Sequence, residues 1–257
     1  MLEILGYFLF LFAGLFFGLF GSGGSIIIIP ILIYIYQLSI YEATSYSLLL
    51  VFLISVFGTI KHIKQKNFDI QNIIIFITPT LFFTAISRVF LFPNIPDFIA
   101  ILNISKDNLL MILFSIVIFF SGISVFQSHQ ISIKNHFNIR LILTGIIVGL
   151  LTGLLGIGGG FIIVPALILF ANMNMKQAAS SALFIIMLNT LLAILLEFAV
   201  FNFQFDFIFI SCILLSSLVG VLIGMYLLNK INQNLTKKMF SVTLLLLSLI
   251  IFFIELL

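Results

Sequence analysis

The sequence predicts an all-α, polytopic helical membrane protein with two inverted repeats, each containing a glycine-rich broken-helix hairpin and three transmembrane helices. Three observations predict this fold class: an apolar composition, an internal repeat and an uneven distribution of basic residues. Of the 257 residues, 63% are hydrophobic and 7% are charged, and the mean hydropathy is +1.38. A water-soluble domain cannot bury so much apolar surface, so lipid is the expected solvent.

Apolar stretches long enough to cross a bilayer recur along the chain. They favour helices over a β-barrel, because the strands of a barrel alternate apolar and polar residues. Short segments of polar and turn-forming residues separate the stretches. We predict helices at about 4–20, 25–36, 43–62, 71–92, 107–127, 139–156, 160–171, 177–200, 206–228 and 238–257.

Two glycine-rich segments of similar sequence stand 135 positions apart. They occupy 14–30 and 149–165, and 10 of their 17 aligned positions are identical. The composition explains matches of leucine and isoleucine, but it does not explain the matches of glycine and proline. The chain is therefore predicted to be a duplication within one membrane domain, with a first repeat at 1–130 and a second at 136–257.

The basic residues distinguish a single long helix through each glycine segment from a hairpin that returns to its starting side. With single helices, the basic residues divide five to six between the two sides. With hairpins, nine of the eleven lie on one side, and only Arg88 and Lys106 lie on the other. Because lysine and arginine concentrate on the cytoplasmic side, we predict hairpins. Each repeat then has five segments, so the second repeat runs inverted and both termini lie outside.

The hairpin tips are the predicted binding site for a small anion. Non-helical backbone at membrane depth occurs only where protein or water satisfies it, and glycine permits positive φ and close approach. The helix after each tip directs N–H groups and its positive dipole end toward the tip. The predicted binding residues here are Gly21, Ser22, Gly23, Gly24, Ser25, Gly156, Gly158, Gly159 and Gly160. The alternative is close helix packing, which Gly14 and Gly18 fit better through their four-residue spacing.

Two pairs of hydroxyl residues are equivalent under the shift of 135. Ser45 aligns with Ser180, and both belong to the predicted binding site, because hydroxyls can donate to an anion or accept from a coupling cation. Ser55 aligns with Thr190 in the same way. The alternative is a hydroxyl that bonds back to its own helix, which is common in membranes.

Ionisable residues inside the apolar spans are few. His62 aligns with Glu197, each near a helix end, so we expect a solvated, interfacial position for both; the alternative is that either residue gates protons. Arg88 lies inside an apolar span, where it either attracts anions or extends to the interface. No set of His, Cys, Asp and Glu has metal-ligand spacing, and no nucleophile stands with a base. We therefore expect no metal, no cofactor and no enzymatic activity, and the loop positions of the basic residues argue against nucleic acid as a partner.

The doubled glycine motif resembles that of the sulfite exporter TauE/SafE family. The resemblance is carried by Gly18, Gly21, Gly23, Gly24 and Pro30, and by Gly153, Gly156, Gly158, Gly159, Gly160 and Pro165. The segments at 67–69 and 205–206 resemble the family's turn between its third and fourth spans. The chain departs from the family pattern at Ser25, which replaces a glycine, and at Ser45 and Ser180, where threonine is usual. It also contains no tryptophan.

The resemblance implies a multi-pass protein of the bacterial inner membrane that transports a small anion of the sulfite, sulfonate or thiosulfate type. Inverted repeats with broken helices are typical of secondary transporters, so we expect alternating access, with a proton or a sodium ion as the candidate coupling ion. The remaining alternatives are another small organic anion, a channel, and a membrane assembly factor without transport activity. The direction of transport and the oligomeric state stay open at this point.

Overall fold

A computed structural model describes residues 2–63, 70–99, 103–127, 139–156, 158–201 and 203–256. The helices of the first repeat are α1 (Leu2–Phe20), α2 (Ser25–Pro30), α3 (Ile40–Ile63), α4 (Ile70–Ile86), α5 (Phe92–Asn94) and α6 (Lys106–Gln127). Those of the second are α7 (Ile139–Leu155), α8 (Gly160–Phe170), α9 (Met175–Leu196), α10 (Phe207–Lys230) and α11 (Gln233–Leu256).

Three π-helical segments continue these helices. The segment π1 extends α2, π2 joins α4 to α5, and π3 extends α9; they span Ile31–Ile35, Ser87–Leu91 and Glu197–Phe201. A short antiparallel hairpin precedes α6, in which β1 (Phe98–Ile99) pairs with β2 (Ile104–Ser105). The segment at 67–69, which resembles the family's turn, lies outside the described residues.

Six of the described helices have the length and composition to cross a membrane. They span Ile40–Lys61, Asn72–Asn94, Lys106–Gln127, Met175–Phe201, Phe207–Leu228 and Gln233–Leu256. Four shorter apolar helices form the glycine-rich segments, at Leu5–Phe20, Ser25–Ile35, Ile139–Leu155 and Gly160–Phe170. The prediction of an all-α, polytopic fold is confirmed.

The chain reverses its direction at the first glycine-rich segment. A Cβ atom on Gly24 would lie 2.0 Å from the carbonyl oxygen of Ala13 on α1. Farther along, the ring of Tyr36 at the end of π1 lies 6.1 Å from the ring of Phe10. The pair α2 and π1 therefore folds back along α1 as a hairpin. In the second repeat, the start of α8 makes the equivalent contact with α7.

The repeat relates the helix pairs to one another. α1 packs along α10 and α7 packs along α4, in both cases through glycines that bring two backbones together. A Cβ atom on Gly14 would lie 1.9 Å from the carbonyl oxygen of Ser217, and one on Gly18 would lie 2.3 Å from that of Val221. The prediction of close helix packing at Gly14 and Gly18 is confirmed.

Equivalent helices of the two repeats run antiparallel. The start of α3 lies beside the end of α9, where the Tyr41 hydroxyl donates to the Glu197 carboxylate at 3.2 Å. α6 and α11 pack antiparallel in the same way, with the Ser241 hydroxyl 2.6 Å from the Gly122 carbonyl oxygen. Repeats of opposite orientation require this relation. Their orientation in the membrane stays a prediction.

The end of α6 and the start of α11 lie at the same end of the molecule. At one end, Phe126 near the close of α6 and Lys238 near the start of α11 line the same surface cavity. At the other end, a carboxylate oxygen of Asp107 lies 3.4 Å from the main-chain nitrogen of Ile40. A single long helix through each glycine segment would place the end of α6 and the start of α11 on opposite sides. Their proximity supports the hairpin interpretation of the basic residues.

Candidate functional site

Tip 1, residues 21–24, connects α1 to α2. Gly21 has a φ of +74°, and a Cβ atom at this position would lie 2.4 Å from the carbonyl oxygen of Ala179 on α9. Both the conformation and the space therefore require glycine. Ser22 and Ser25 are buried, and the Ser25 hydroxyl donates to the Ser22 carbonyl oxygen at 2.9 Å.

The last two glycines of tip 1 lie against their own repeat and α11. A Cβ atom on Gly23 would lie 2.9 Å from the Phe20 ring and 3.2 Å from the Phe240 ring. One on Gly24 would overlap the backbone of α1. These two predicted site residues therefore occupy positions in which close packing alone accounts for glycine.

Tip 2, residues 156–159, connects α7 to α8. Gly156, Gly158 and Gly159 have φ values of +66°, +71° and +69°, a region that side chains with a Cβ atom rarely adopt. Gly159 is the residue before α8, and Gly160 is its first residue. Tip 2 therefore places the N-terminus of α8, an 11-residue helix, at the centre of the protein. The dipole of α8 favours negative charge at this end.

Each tip contacts the other repeat at an equivalent position. Tip 1 lies against Ala179 on α9 and tip 2 lies against Thr44 on α3, two residues related by the shift of 135. The tips also meet each other, because a Cβ atom on Gly160 would lie 2.3 Å from the Cβ of Ser22. The two glycine-rich segments thus form one centre between the repeats.

Several buried polar atoms of the tips and of the helices beside them have no hydrogen-bond partner among the described residues. Among them are the hydroxyl of Ser22 in tip 1, the hydroxyl of Thr152 on α7, and the Ser181 hydroxyl and both polar atoms of the Asn189 side chain on α9. Ser22 belongs to tip 1, and the Thr152 hydroxyl would lie 2.5 Å from a Cβ atom on Gly159 of tip 2. Buried polar groups are almost always paired, so the three hydroxyls and the amide nitrogen of Asn189 are donors that a bound anion could use.

The two predicted serines differ in their partners. Ser45 is buried, and its hydroxyl lies 2.9 Å from the Tyr41 carbonyl oxygen and 3.2 Å from a carboxylate oxygen of Glu197. Ser180 is also buried, and its hydroxyl donates to the Lys176 carbonyl oxygen at 2.9 Å. Each serine directly follows the residue that contacts a tip of the opposite repeat, so both lie next to the predicted site.

Arg88 is fully buried in the wall of this centre. Its guanidinium forms a salt bridge with the Glu197 carboxylate, which is also fully buried. It further contacts the Gly153 carbonyl oxygen and the hydroxyls of Thr44 and Ser45, each at 3.3 Å. Because Thr44 lies against tip 2, the guanidinium is one residue away from that tip.

The Glu197 carboxylate is held from two helices. One oxygen accepts from the Arg88 guanidinium, and the other lies 3.2 Å from the hydroxyls of Tyr41 and Ser45 on α3. The Phe92 ring packs on the guanidinium, with the Cζ of Arg88 4.4 Å from the ring centre. The cluster of Arg88, Glu197, Tyr41 and Ser45 is called the ion-pair cluster below.

The expectation of a solvated, interfacial Glu197 is wrong. The carboxylate is buried because π3 turns it toward α3 and Arg88 rather than toward the helix end. Arg88 does not extend to the interface, since its side chain is also fully buried. The side chain of His62 lies outside the described residues. Neither Tyr41 nor the pairing of Arg88 with Glu197 is predicted above, although two opposite charges inside apolar spans are a signal for an ion pair.

The fold and this centre define a polytopic membrane protein in which two glycine-rich hairpins meet beside a buried cation. The family model "Sulfite exporter TauE/SafE" matches residues 7–251, and the chain belongs to this family. It is similar to "Probable membrane transporter protein MJ0441" of Methanocaldococcus jannaschii, with 29% identity over 199 residues, 74% of this chain and 69% of the relative. No solved structure matches the chain. The resemblance carried by the glycine motif is confirmed, and the chain is grouped with membrane transport proteins.

Proposed function

We propose that this protein is a secondary transporter of a small anion, with a sulfur oxyanion as the substrate class. The observation that carries the proposal is the meeting of the two tips beside unpartnered buried donors and the Arg88 guanidinium. Transport proceeds by alternating access, in which the two halves move relative to each other around this centre.

An anion at the tips would meet three kinds of favourable group. The N-terminus of α8 supplies backbone N–H groups and a positive dipole end. The side chains of Thr152 and Asn189 supply donors that have no partner among the described residues. Arg88 supplies a full positive charge one residue from tip 2. A small, compact anion fits this combination because the glycines let the backbone approach it closely.

The packing of the repeats supports alternating access. α3 and α9 are equivalent and antiparallel, and each contacts the tip of the opposite repeat. A rotation of one half relative to the other would exchange the contact of tip 1 with α9 for the equivalent contact of tip 2 with α3. The family's description supports sulfite or a related sulfur anion as the substrate, whereas the printed name of the relative supports only membrane transport.

The test uses substitutions that remove a donor without changing the shape of the side chain. Thr152→Val and Asn189→Leu remove the unpartnered polar atoms, so a purely structural role predicts a protein of equal or greater stability. A ligand role predicts a loss of about 1.5–3 kcal/mol per hydrogen bond to the anion, which is about tenfold to a hundredfold in the apparent substrate constant. Thr59→Val is the matched control, since Thr59 has a similarly unpartnered buried hydroxyl at the other end of α3 from Thr44.

The measurement is saturable uptake of labelled sulfite, thiosulfate and methanesulfonate into proteoliposomes. Raised substrate constants for Thr152→Val and Asn189→Leu, with Thr59→Val unchanged, support the proposal. Folded wild-type protein that moves none of the anions would instead indicate an assembly factor. Flux that neither saturates nor shows counterflow would indicate a channel.

A further inference from the structure

We propose that Arg88 is the counter-charge of the transported anion and that Glu197 is a proton-operated competitor for the same guanidinium. The inference rests on the proposed function and adds the coupling ion. In this conformation the Glu197 carboxylate occupies the place of the anion on Arg88. When Glu197 takes up a proton from the solution, it releases the guanidinium, and a singly charged oxyanion replaces it. One proton therefore moves with each such anion.

The contacts of Arg88 match those of an oxyanion site. A guanidinium binds carboxylates and tetrahedral or pyramidal oxyanions through the same N–H groups. Here one carboxylate oxygen of Glu197 accepts from the Arg88 guanidinium, which also donates to the hydroxyl oxygens of Thr44 and Ser45 at 3.3 Å. An anion that displaced Glu197 would take over the contact that the Ser45 hydroxyl makes with the Glu197 carboxylate.

The balance of charge requires a proton in this exchange. Arg88 and Glu197 are both fully buried, and a buried charge is costly unless it is paired. The pair is neutral as a positive guanidinium and a negative carboxylate. An anion on Arg88 beside an ionised Glu197 would leave one unpaired negative charge. With the proton on Glu197, the cluster stays neutral, and the neutral carboxyl group donates a hydrogen bond.

The groups that face Glu197 agree with this assignment. Of the described residues, Tyr41 on α3 and Arg88 on π2 are the titratable or charged groups in contact with the carboxylate. Lys106 also contacts the Phe92 ring, with its Nζ 4.2 Å from the ring centre. This second positive charge near the ion-pair cluster favours the presence of an anion on Arg88.

The backbone gives independent support. Arg88 lies in π2, and Glu197 is the first residue of π3. Single-turn π segments within helices occur frequently at functional sites. Both partners of one ion pair therefore lie where their helices depart from regular geometry. The two segments belong to different repeats, so separation of the pair would accompany movement of one half against the other.

The first measurement needs no variant. Methanesulfonate keeps a single negative charge between about pH 5 and about pH 8, so any dependence of its binding on pH belongs to the protein. Titration calorimetry of the purified protein in buffers with different ionisation enthalpies counts the protons taken up on binding. We expect uptake of close to one proton at the upper end of this range. Binding without proton uptake across the range would overturn the inference.

The second measurement compares Glu197→Gln with Glu255→Gln. A neutral glutamine imitates the protonated glutamate, so Glu197→Gln should bind methanesulfonate with an affinity independent of pH. The affinity of the wild type should fall as the pH rises, by up to about tenfold for each pH unit, because each bound anion takes up one proton. Glu255 is a carboxylate near the end of α11 that accepts from Tyr34, and Glu255→Gln should keep the pH dependence of the wild type.

Flux separates the failure of this inference from the failure of the proposed function. In proteoliposomes, an inwardly directed proton gradient should make the wild type accumulate labelled methanesulfonate, and Glu197→Gln should lose this accumulation but still catalyse exchange. Saturable exchange by the wild type with no response to the proton gradient would overturn only the coupling. Absence of saturable flux of every anion would overturn the proposed function and the inference with it.

Discussion

The buried pair of Arg88 and Glu197 makes a quantitative prediction about stability. Both side chains are fully buried, and the guanidinium has hydrogen-bond partners on three further residues. Removing one member of such a pair leaves an uncompensated buried charge, which costs about 3–5 kcal/mol. We therefore expect Arg88→Gln and Glu197→Gln each to destabilise the folded protein by about 3 kcal/mol or more.

The double variant distinguishes a charge pair from ordinary packing. With Arg88→Gln and Glu197→Gln together, no charge is buried, and two amide side chains can bond to each other. Its free energy of unfolding should lie closer to that of the wild type than either single variant does, because pairs in contact are not additive. A difference of about 3 kcal/mol is about two decades in the unfolding equilibrium, so the effect is easily resolved.

The assay is reversible unfolding in mixed micelles with increasing denaturing detergent, followed by circular dichroism. Glu255→Gln serves as the control, because its half-buried carboxylate accepts one hydrogen bond from Tyr34. We expect its cost to be about 1 kcal/mol. If the losses of the two single variants simply add in the double variant, the reasoning about a buried pair is refuted.

Three further predictions concern the site, the topology and the tips. Ser45→Ala should raise the apparent substrate constant by about tenfold or more. Ser180→Ala removes a hydrogen bond to its own helix and should change the constant by less than about twofold. Equal effects of the two variants would contradict the assigned partners. Cysteines at Gln233 and Asp97 should be labelled from the cytoplasm and from outside respectively, and the reverse pattern would contradict the charge-based orientation. The Gly21→Ala variant should unfold at a lower concentration of denaturing detergent than the wild type, because Gly21 has a positive φ and lies close to the α9 backbone. Unfolding at the same concentration would argue against the tip geometry.

Most of the fold could be predicted from the sequence because the membrane makes hydropathy and charge informative. The glycine tips, the reversals and the close packing at Gly14 and Gly18 follow from glycine positions and spacing. Several helices begin earlier than expected, and the difference is largest for α11. α11 starts at Gln233 rather than at 238, because the Asn232 side chain accepts from the Asn234 N–H at 3.1 Å.

The site could be predicted only where it is local in the chain. The tips were identified because their glycines are adjacent, but Arg88 and Glu197 are 109 positions apart. Their pairing depends on how α4 and α9 pack, which no single segment encodes. The repeat itself was misleading here, because it aligns Glu197 with His62, and it aligns Arg88 with Ile223. The ion pair therefore has no equivalent pair of charges in the other half, and internal symmetry could not predict it.

The location of a bound anion tests the central claim most directly. Selenite is a pyramidal oxyanion like sulfite, and the anomalous scattering of selenium would mark its position in crystals of the protein. We expect one strong peak where tip 2, Thr152 and Arg88 converge, within about 3.2 Å plus one bond length of the backbone and side-chain donors. Crystals of the double variant Arg88→Gln and Glu197→Gln should show a much weaker peak there. A peak confined to the surface lysines, with none at the tips, would contradict the account.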